Sequence, residues 1–292
     1  MHIREFVQNP PTHPFYAVIG NPVKQSKSPL IHNYALEKCA LPGRYYALDT
    51  PSDSFAWVGK LLDLPGFRGL NVTIPHKSRI MDALHMTDPL AQAVGAVNTV
   101  KKERIGFAGY NTDVAGVEAS LKEYALLLAG QKAIILGSGG AARAVVAALK
   151  RFGVQSATII SRKGSSLSWP KSINSVQVNI SGYNTLDDLL NDAKLIVNTT
   201  PVGMFPETEK SPVSSLHNKL LKNKICMDAI YNPLQTRFLK DASEAGARAT
   251  INGIRMFTGQ AAAAFSIWTD REFPLREAEA ELLSVLQSDE II

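Results

Sequence analysis

Two sets of residues in this chain have types and spacings suited to chemistry. The first is the run Gly137-Ser138-Gly139-Gly140-Ala141-Ala142. Gly137, Gly139 and Ala142 fit G-x-G-x-x-G/A, directly after the apolar run Lys132–Leu136 and directly before an alanine-rich stretch. That setting separates a dinucleotide loop from an ordinary glycine turn. Gly137 permits the tight turn, Gly139 lets the backbone approach a pyrophosphate, and Ala142 keeps helix and strand close. The phosphates then sit on unpaired N–H groups at the helix N-terminus, with Ser138, Gly140 and Ala141 completing the loop.

The end of the following strand bears on which nicotinamide cofactor is used. An NAD site usually places Asp or Glu about 20 residues after the loop, to hold the ribose 2′-OH. Here Ala157–Ile160 is followed by Ser161-Arg162-Lys163, with no acid nearby. A carboxylate would repel a 2′-phosphate, whereas Arg162 can bind one and stack on the adenine. The residues therefore predict NADP(H).

The second set comprises Ser26-Lys27-Ser28, Asn71 to Lys77, Asn98-Thr99 and Asn111-Thr112-Asp113. Each has an ordinary reading by itself. Ser28 before Pro29 could cap a helix, Asn111 and Asp113 could be turn residues, and Lys77 could be a surface lysine. Their joint placement, at the ends of expected strands, is where open α/β sheets bind ligands. A lysine, a carboxylate and several neutral hydrogen-bonding groups suit a polyhydroxylated substrate and proton transfer to or from oxygen. No set of residues here calls for a metal.

Elements must hold these residues. Tyr16–Gly20, Arg44–Leu48, Gly69–Ile74, Ala96–Val100 and Ile105–Tyr110 read as strands. Pro29–Cys39 and Phe55–Leu64 read as helices, and Thr87-Asp88-Pro89 opens a short one. This order predicts helices on a mainly parallel sheet. Asp113–Ala125 reads as a helix, and strands follow at Lys132–Leu136, Ala157–Ile160, Leu195–Asn198, Ile225–Asp228 and Ala249–Ile251. Helices are expected at Ala141–Phe152 and Phe238–Ala245, and over Arg255–Gln287 with a break at Pro274; Gly164–Ser168 reads as a flexible loop.

The 292 residues suit two domains at roughly 100–200 residues each. With 45% hydrophobic and 20% charged residues, the composition is that of a globular protein rather than a disordered one. The net charge of +5 is spread along the chain without a basic stripe and interleaved aromatics, so no nucleic-acid partner is expected. No apolar run nears the ~20 residues of a membrane helix, and the polar, proline-rich start is unlike a signal peptide. Cys39 and Cys226 read as reduced thiols, which fits the cytoplasm.

Taken in order, these motifs resemble the shikimate dehydrogenase family. Val18-Ile19-Gly20-Asn21-Pro22-Val23 with Ser26-Lys27-Ser28-Pro29 and His32-Asn33 is similar to its opening motif. Asn71-Val72-Thr73-Ile74-Pro75-His76-Lys77 is similar to its lysine motif. Gly95–Thr99, Asn111–Asp113, the glycine loop, Asn198–Met204, Asp228 with Tyr231–Leu234, and Gly253–Gln260 follow in the expected order. The resemblance spans about residues 16–268. Gln25 stands where histidine is usual, Val114 where glycine is common, and Ser161-Arg162-Lys163 where Asn-Arg-Thr is common.

The resemblance implies reversible reduction of 3-dehydroshikimate to shikimate with NADPH, in aromatic amino acid biosynthesis. It implies that Ser26 and Ser28, assisted by Tyr231, hold the substrate carboxylate, and that Thr73, Asn98 and Gln260 bind ring hydroxyls. Lys77 and Asp113 would form the catalytic pair. The glycine loop would take the pyrophosphate, and Arg162, flanked by Ser161 and Lys163, the 2′-phosphate. Thr200, Gly253 and Met256 would lie along the nicotinamide half. The expected fold is α/β, with an N-terminal α/β substrate domain (1–111 and 254–292) and a Rossmann-type NADP-binding domain (112–253). A cleft between them, closing over the substrate, is expected, in a monomer or homodimer.

Overall fold

Short apolar runs become strands where both of their faces find cover. Phe15–Gly20 is the clearest case, with all six residues buried. The computed structural model describes Met1–Asp289, so the last three residues of the expected 254–292 segment lie outside the described residues. The chain divides into two compact units. One comprises Met1–Thr112 with Gln260–Val285, and the other Asp113–Gly259 with Leu286 and its neighbours at the end of the last helix.

The first unit is built on a six-stranded sheet. Its strands are β1 (Phe15–Gly20), β2 (Arg44–Asp49), β3 (Phe67–Val72), β4 (Met86–Thr87), β5 (Thr99–Lys102) and β6 (Phe107–Tyr110). Their order is β2-β1-β3-β5-β6-β4. Helices Ser28–Lys38 and Ala56–Leu62 make the crossovers between the parallel strands β1, β2 and β3, as right-handed βαβ packing requires. The sheet is less parallel than expected, because β5 pairs antiparallel with both β3 and β6. The short link from Lys102 to Phe107 can only return the chain as a hairpin. Ile3, Phe6, Phe15, Leu48, Leu61 and Leu70 are among the residues packed in its core. Trp268, late in the chain, donates Nε1–H to Val100 O at 2.9 Å.

The second unit is a seven-stranded sheet. Its strands are β7 (Lys132–Leu136), β8 (Ser156–Ile160), β9 (Ser172–Ile173), β10 (Val176–Ser181), β11 (Ala193–Asn198), β12 (Ile225–Asp228) and β13 (Ala249–Ile251). They run in the order β13-β12-β11-β7-β8-β10-β9, parallel except for β9. This is the doubly wound pattern of a nucleotide-binding sheet, and its order reverses direction between β7 and β11.

Some elements differ from the expected ones. Ile3–Gln8 is a helix capped by His2, which accepts the Arg4 N–H, and it buries Ile3 and Phe6. Ala96–Asn98 is not strand; β5 begins at Thr99. Gly164–Ser166 forms a single 3₁₀ turn inside the expected loop. The terminal helical segment is two helices, Ile254–Thr269 and Leu275–Asp289, separated around Pro274. Among the described residues no helix is long and apolar enough to cross a membrane.

Candidate active site

In the first unit, the polar clusters gather at one edge of the sheet. Ser26 and Ser28 follow β1, Thr73 and Lys77 follow β3, and Asn111 and Thr112 follow β6. Asn98 precedes β5, but β5 runs antiparallel to β3 with Asn71 opposite Thr99. The antiparallel strand therefore delivers Asn98 to the same edge as the carboxyl end of β3. Val72 N–H donates to Asn98 O at 2.8 Å.

Each of these residues is fixed locally. The Ser28 N–H donates to Ser26 Oγ at 3.3 Å, so the Ser26 hydroxyl proton is left to point elsewhere. Thr73 N–H donates to Ile19 O. Gly20 lies so close to Thr73 that a β-carbon there would collide with the threonine methyl. The turn to Lys77 is pinned by buried His76, which hydrogen-bonds Thr50 O, and by Val97 N–H donating to Lys77 O at 2.7 Å. Lys77 itself is half-buried. Asn98 is 2% exposed; its Nδ2 donates to Thr112 Oγ1 and its Oδ1 accepts Thr112 N–H at 2.7 Å. Asn98 thus anchors the residue immediately before Asp113. Gln260 lies in helix Ile254–Thr269, on the part assigned to this unit.

In the second unit, β7 runs into the glycine loop. Gly137 has φ +106°, and a β-carbon there would sit 2.7 Å from Thr199 Oγ1. Only glycine meets both demands. Gly139 caps helix Gly140–Leu149 with extended backbone and no side-chain hydrogen bond. The first N–H groups of that helix therefore have no capping side chain. A β-carbon at Gly139 would point into open space. Ala142 is fully buried, holding the helix against the sheet. Ser138 O accepts the Trp169 indole N–H at 3.2 Å, and the Arg143 guanidinium lies 5.4 Å over the Trp169 ring.

At the end of β8, Ser161 is buried and its Oγ accepts the Lys163 N–H at 3.1 Å. It shapes the turn that leaves Arg162 and Lys163 exposed. At the ends of β11 and β12, Asn198 Oδ1 accepts both the Thr200 N–H and its hydroxyl, the latter at 2.7 Å. Gly253 N–H donates to Ile230 O, and a β-carbon at Gly253 would strike the Ala229 carbonyl. Met256 is buried one turn further on, and Tyr231 stacks on Phe257 at 4.4 Å. Asp113 opens helix Asp113–Leu121 and is 6% exposed.

These residues fit a dinucleotide. The open space over Gly139, the uncapped helix start and the exposed Arg162-Lys163 pair provide donors and positive charge where a pyrophosphate and a 2′-phosphate need them. A family profile described as the shikimate dehydrogenase substrate binding domain matches residues 18–100. A second, the shikimate 5′-dehydrogenase C-terminal domain, matches residues 253–283. The chain is 43% identical over 255 residues to the shikimate dehydrogenase (NADP(+)) of Methanococcus maripaludis, covering 86% of this chain and 90% of that one. The chain belongs to the shikimate dehydrogenase family. Among solved structures, a shikimate dehydrogenase in complex with NADP+ superposes with TM-score 0.81 at 33% identity, covering 94% of this chain and 96% of that one. The Thermus thermophilus enzyme in complex with NADP(H) and shikimate gives 0.80 at 33% identity, over 92% and 98%.

Several residues that hold neighbouring segments in place carry no motif of their own. Tyr45, Arg143 and Trp169 are the main ones. Tyr45 lies on β2 and reads as core, since strand tyrosines usually are. Trp169 lies in a stretch of glycine, serine and proline that carries no periodicity. Asp228 was legible in the sequence, at the end of an apolar strand and beside the Tyr231–Leu234 motif.

Proposed function

We propose that this protein catalyses the reversible, NADPH-dependent reduction of 3-dehydroshikimate to shikimate, in aromatic amino acid biosynthesis. The observation that carries this reading is the gathering of Ser26, Ser28, Thr73, Lys77 and Asn98 at one edge of the first sheet, in a chain that also carries a dinucleotide loop. NADPH, when bound, supplies the hydride. The remaining work belongs to side chains. Ser26, Ser28 and Tyr231 hold the carboxylate, and Thr73, Asn98 and Gln260 hold ring hydroxyls. Lys77 and Asp113 are assigned to the proton: the ammonium stabilises and protonates the oxygen on which charge builds, and the carboxylate binds the same hydroxyl. Gly137 to Ala141 hold the pyrophosphate and Ser161, Arg162 and Lys163 the 2′-phosphate, while Thr200, Gly253 and Met256 border the nicotinamide.

The domain assignment follows the same reading: a substrate domain of residues 1–111 and 254–292, and an NADP domain of 112–253. We place the enzyme in the cytoplasm, in keeping with its two unbridged cysteines, as a monomer or homodimer. The deciding assay is NADP reduction with shikimate, compared with quinate and with NAD. Turnover with shikimate and NADP at the highest kcat/KM of the four combinations is expected. Equal efficiency with NAD overturns the cofactor assignment, faster quinate turnover overturns the substrate, and no turnover overturns the activity.

A further inference from the structure

The crossover from β8 to β10 departs from the doubly wound pattern. Parallel neighbours are normally joined through an α-helix. Here residues 161–175 make the link with one 3₁₀ turn and the two-residue strand β9. With no helix of its own to pack, this strap is held by side chains on carbonyls of the glycine loop and of helix Gly140–Leu149. Trp169 Nε1–H donates to Ser138 O at 3.2 Å, and Asn174 Nδ2 donates to Ala147 O at 3.0 Å. Between them, buried Ile173 anchors the segment in the core. The strap thus starts at the Ser161-Arg162-Lys163 turn, assigned to the 2′-phosphate, and returns through Trp169 to the loop assigned to the pyrophosphate.

Arg143 stands in the first turn of helix Gly140–Leu149, with its N–H donating to Gly139 O at 3.2 Å. A cation there faces the positive end of the helix dipole, which is unfavourable until an anion arrives. No acidic residue of that turn offsets it. Helical side chains lean toward the N-terminus, over the turn that precedes them. Arg143 therefore reaches back over the turn that begins at Gly139, where an added β-carbon would meet no protein atom within 4 Å. The Arg143 guanidinium carbon lies 5.4 Å from the centre of the Trp169 ring. An indole is the best aromatic face for a cation, and the bond to Ser138 O fixes this one beside the glycine loop. Arg143 and Trp169 are both half-buried, so the guanidinium is held without being sealed from solvent.

We propose that Arg143 is a further phosphate-binding residue of the NADP site, and that Trp169 is the positioning residue that holds its guanidinium beside the glycine loop. This rests on the reading of that loop as the pyrophosphate site. The guanidinium gives the pyrophosphate charge-assisted N–H donors. NADP and NAD both carry that group, whereas Arg162 is assigned to the 2′-phosphate that only NADP has. The Trp169 ring pre-organises the contact, because it removes side-chain freedom that an arginine otherwise loses on binding.

Calorimetric binding of NADP to the wild-type protein tests the cofactor site by itself; the ratio of variant to wild type tests this inference. Arg143→Gln is expected to raise Kd about tenfold for NADP and NAD alike, and to flatten the salt dependence of binding. Trp169→Leu is expected to raise both about fivefold. In the double variant the loss should stay within about twofold of Arg143→Gln alone, because the ring has nothing left to hold. Unchanged dinucleotide binding by either variant overturns the proposal. So do losses confined to NADP, which would put both residues on the 2′-phosphate. Losses that multiply in the double variant also overturn it, since Trp169 would then only pack the strap. Should the variants fail to fold, phenylglyoxal modification of the wild-type protein serves instead. NAD is expected to protect the peptide carrying Arg143, and equal modification with and without NAD overturns the proposal.

Discussion

Asn198 donates its Nδ2–H to Asp228 Oδ1 at 3.0 Å, tying together the carboxyl ends of the adjacent parallel strands β11 and β12. Asp228 also accepts the Ile230 N–H and, at 2.7 Å, the Thr236 hydroxyl. Burial pushes its carboxyl up to about 6, against the pull of those three donors. The other face of the Asn198 amide holds Thr200. One buried carboxylate thus sets the geometry of two loops assigned to the nicotinamide side. Asp228→Ala strands three buried donors, so a loss of about 3 kcal/mol in urea unfolding is expected. NADP affinity should fall with it, measured by titration well below the unfolding midpoint. A variant as stable as wild type would show that these bonds are replaced by water.

His32 and Asp228 should make acid stability depend on pH in opposite senses. Burial among aromatic rings lowers the His32 pKa to about 3, from 6.5. The unfolded chain takes up that proton first, so stability present above pH 6.5 is lost as pH falls toward 3. Asp228 is raised from 3.8 to about 6. Its contribution is full below pH 3.8 and is lost as pH rises through 6. Replacing His32 by Phe keeps the stack and removes the first effect. Between about pH 7 and pH 5 the wild type should lose about 2 kcal/mol relative to His32→Phe. Parallel pH profiles for the two proteins would mean that His32 is protonated in place.

Much of the fold was legible because buried parallel strands write themselves as apolar runs, as Lys132–Leu136 and Ile225–Asp228 do. Three parts were not. Helix Ile3–Gln8 spans six residues, too few for a helical period to show. Strand β10 alternates Val176, Val178 and Ile180 with polar residues, a signal that was present in the sequence but followed a serine-rich stretch read as loop. The antiparallel setting of β5 depends on its hairpin with β6, and local sequence does not encode a strand's direction. The site divides in the same way. Glycines and motif serines announce themselves, whereas Tyr45 and Trp169 act through partners far away in the chain.

Two glycines of one loop should fail differently. At Gly137 an alanine meets both φ +106° and Thr199 Oγ1 at 2.7 Å. Gly137→Ala should cost about 1–3 kcal/mol of stability. At Gly139 the added methyl touches no protein atom, so Gly139→Ala should melt within a few degrees of wild type. It occupies the space assigned to the pyrophosphate, and NADP affinity should drop at least about tenfold. Unaltered NADP binding by Gly139→Ala would move the pyrophosphate elsewhere.

Arg162 should carry the choice between cofactors. It is exposed beyond β8, with no acid between Ser161 and Ser168 to oppose it. Its charge reaches Tyr183, where burial raises the phenol pKa and the guanidinium pulls it back down. Arg162→Ala should weaken NADP by about 10–100-fold and leave NAD nearly unchanged, the mark of a lost charge-assisted contact to one phosphate. Isothermal titration with both dinucleotides measures this. Equal losses would place Arg162 on the shared adenosine rather than on the 2′-phosphate.

Lys77 offers the sharpest test of the proposed chemistry. Its backbone is fixed by Val97 N–H on Lys77 O and by the His76 turn, so a substitution of the side chain leaves the main chain at this position in place. Hydride addition to a ketone leaves negative charge on oxygen, and a neighbouring ammonium both stabilises that charge and supplies the proton. Removing such a group costs about 10²–10⁴ in rate. That loss belongs to the transition state, so Lys77→Ala should depress kcat by that range with a small change in shikimate KM. A methionine at the same position keeps the length and apolar stem but no proton, and should be equally slow. If Lys77→Met retains a near-wild-type kcat, the proton comes from elsewhere and Lys77 only lines the site.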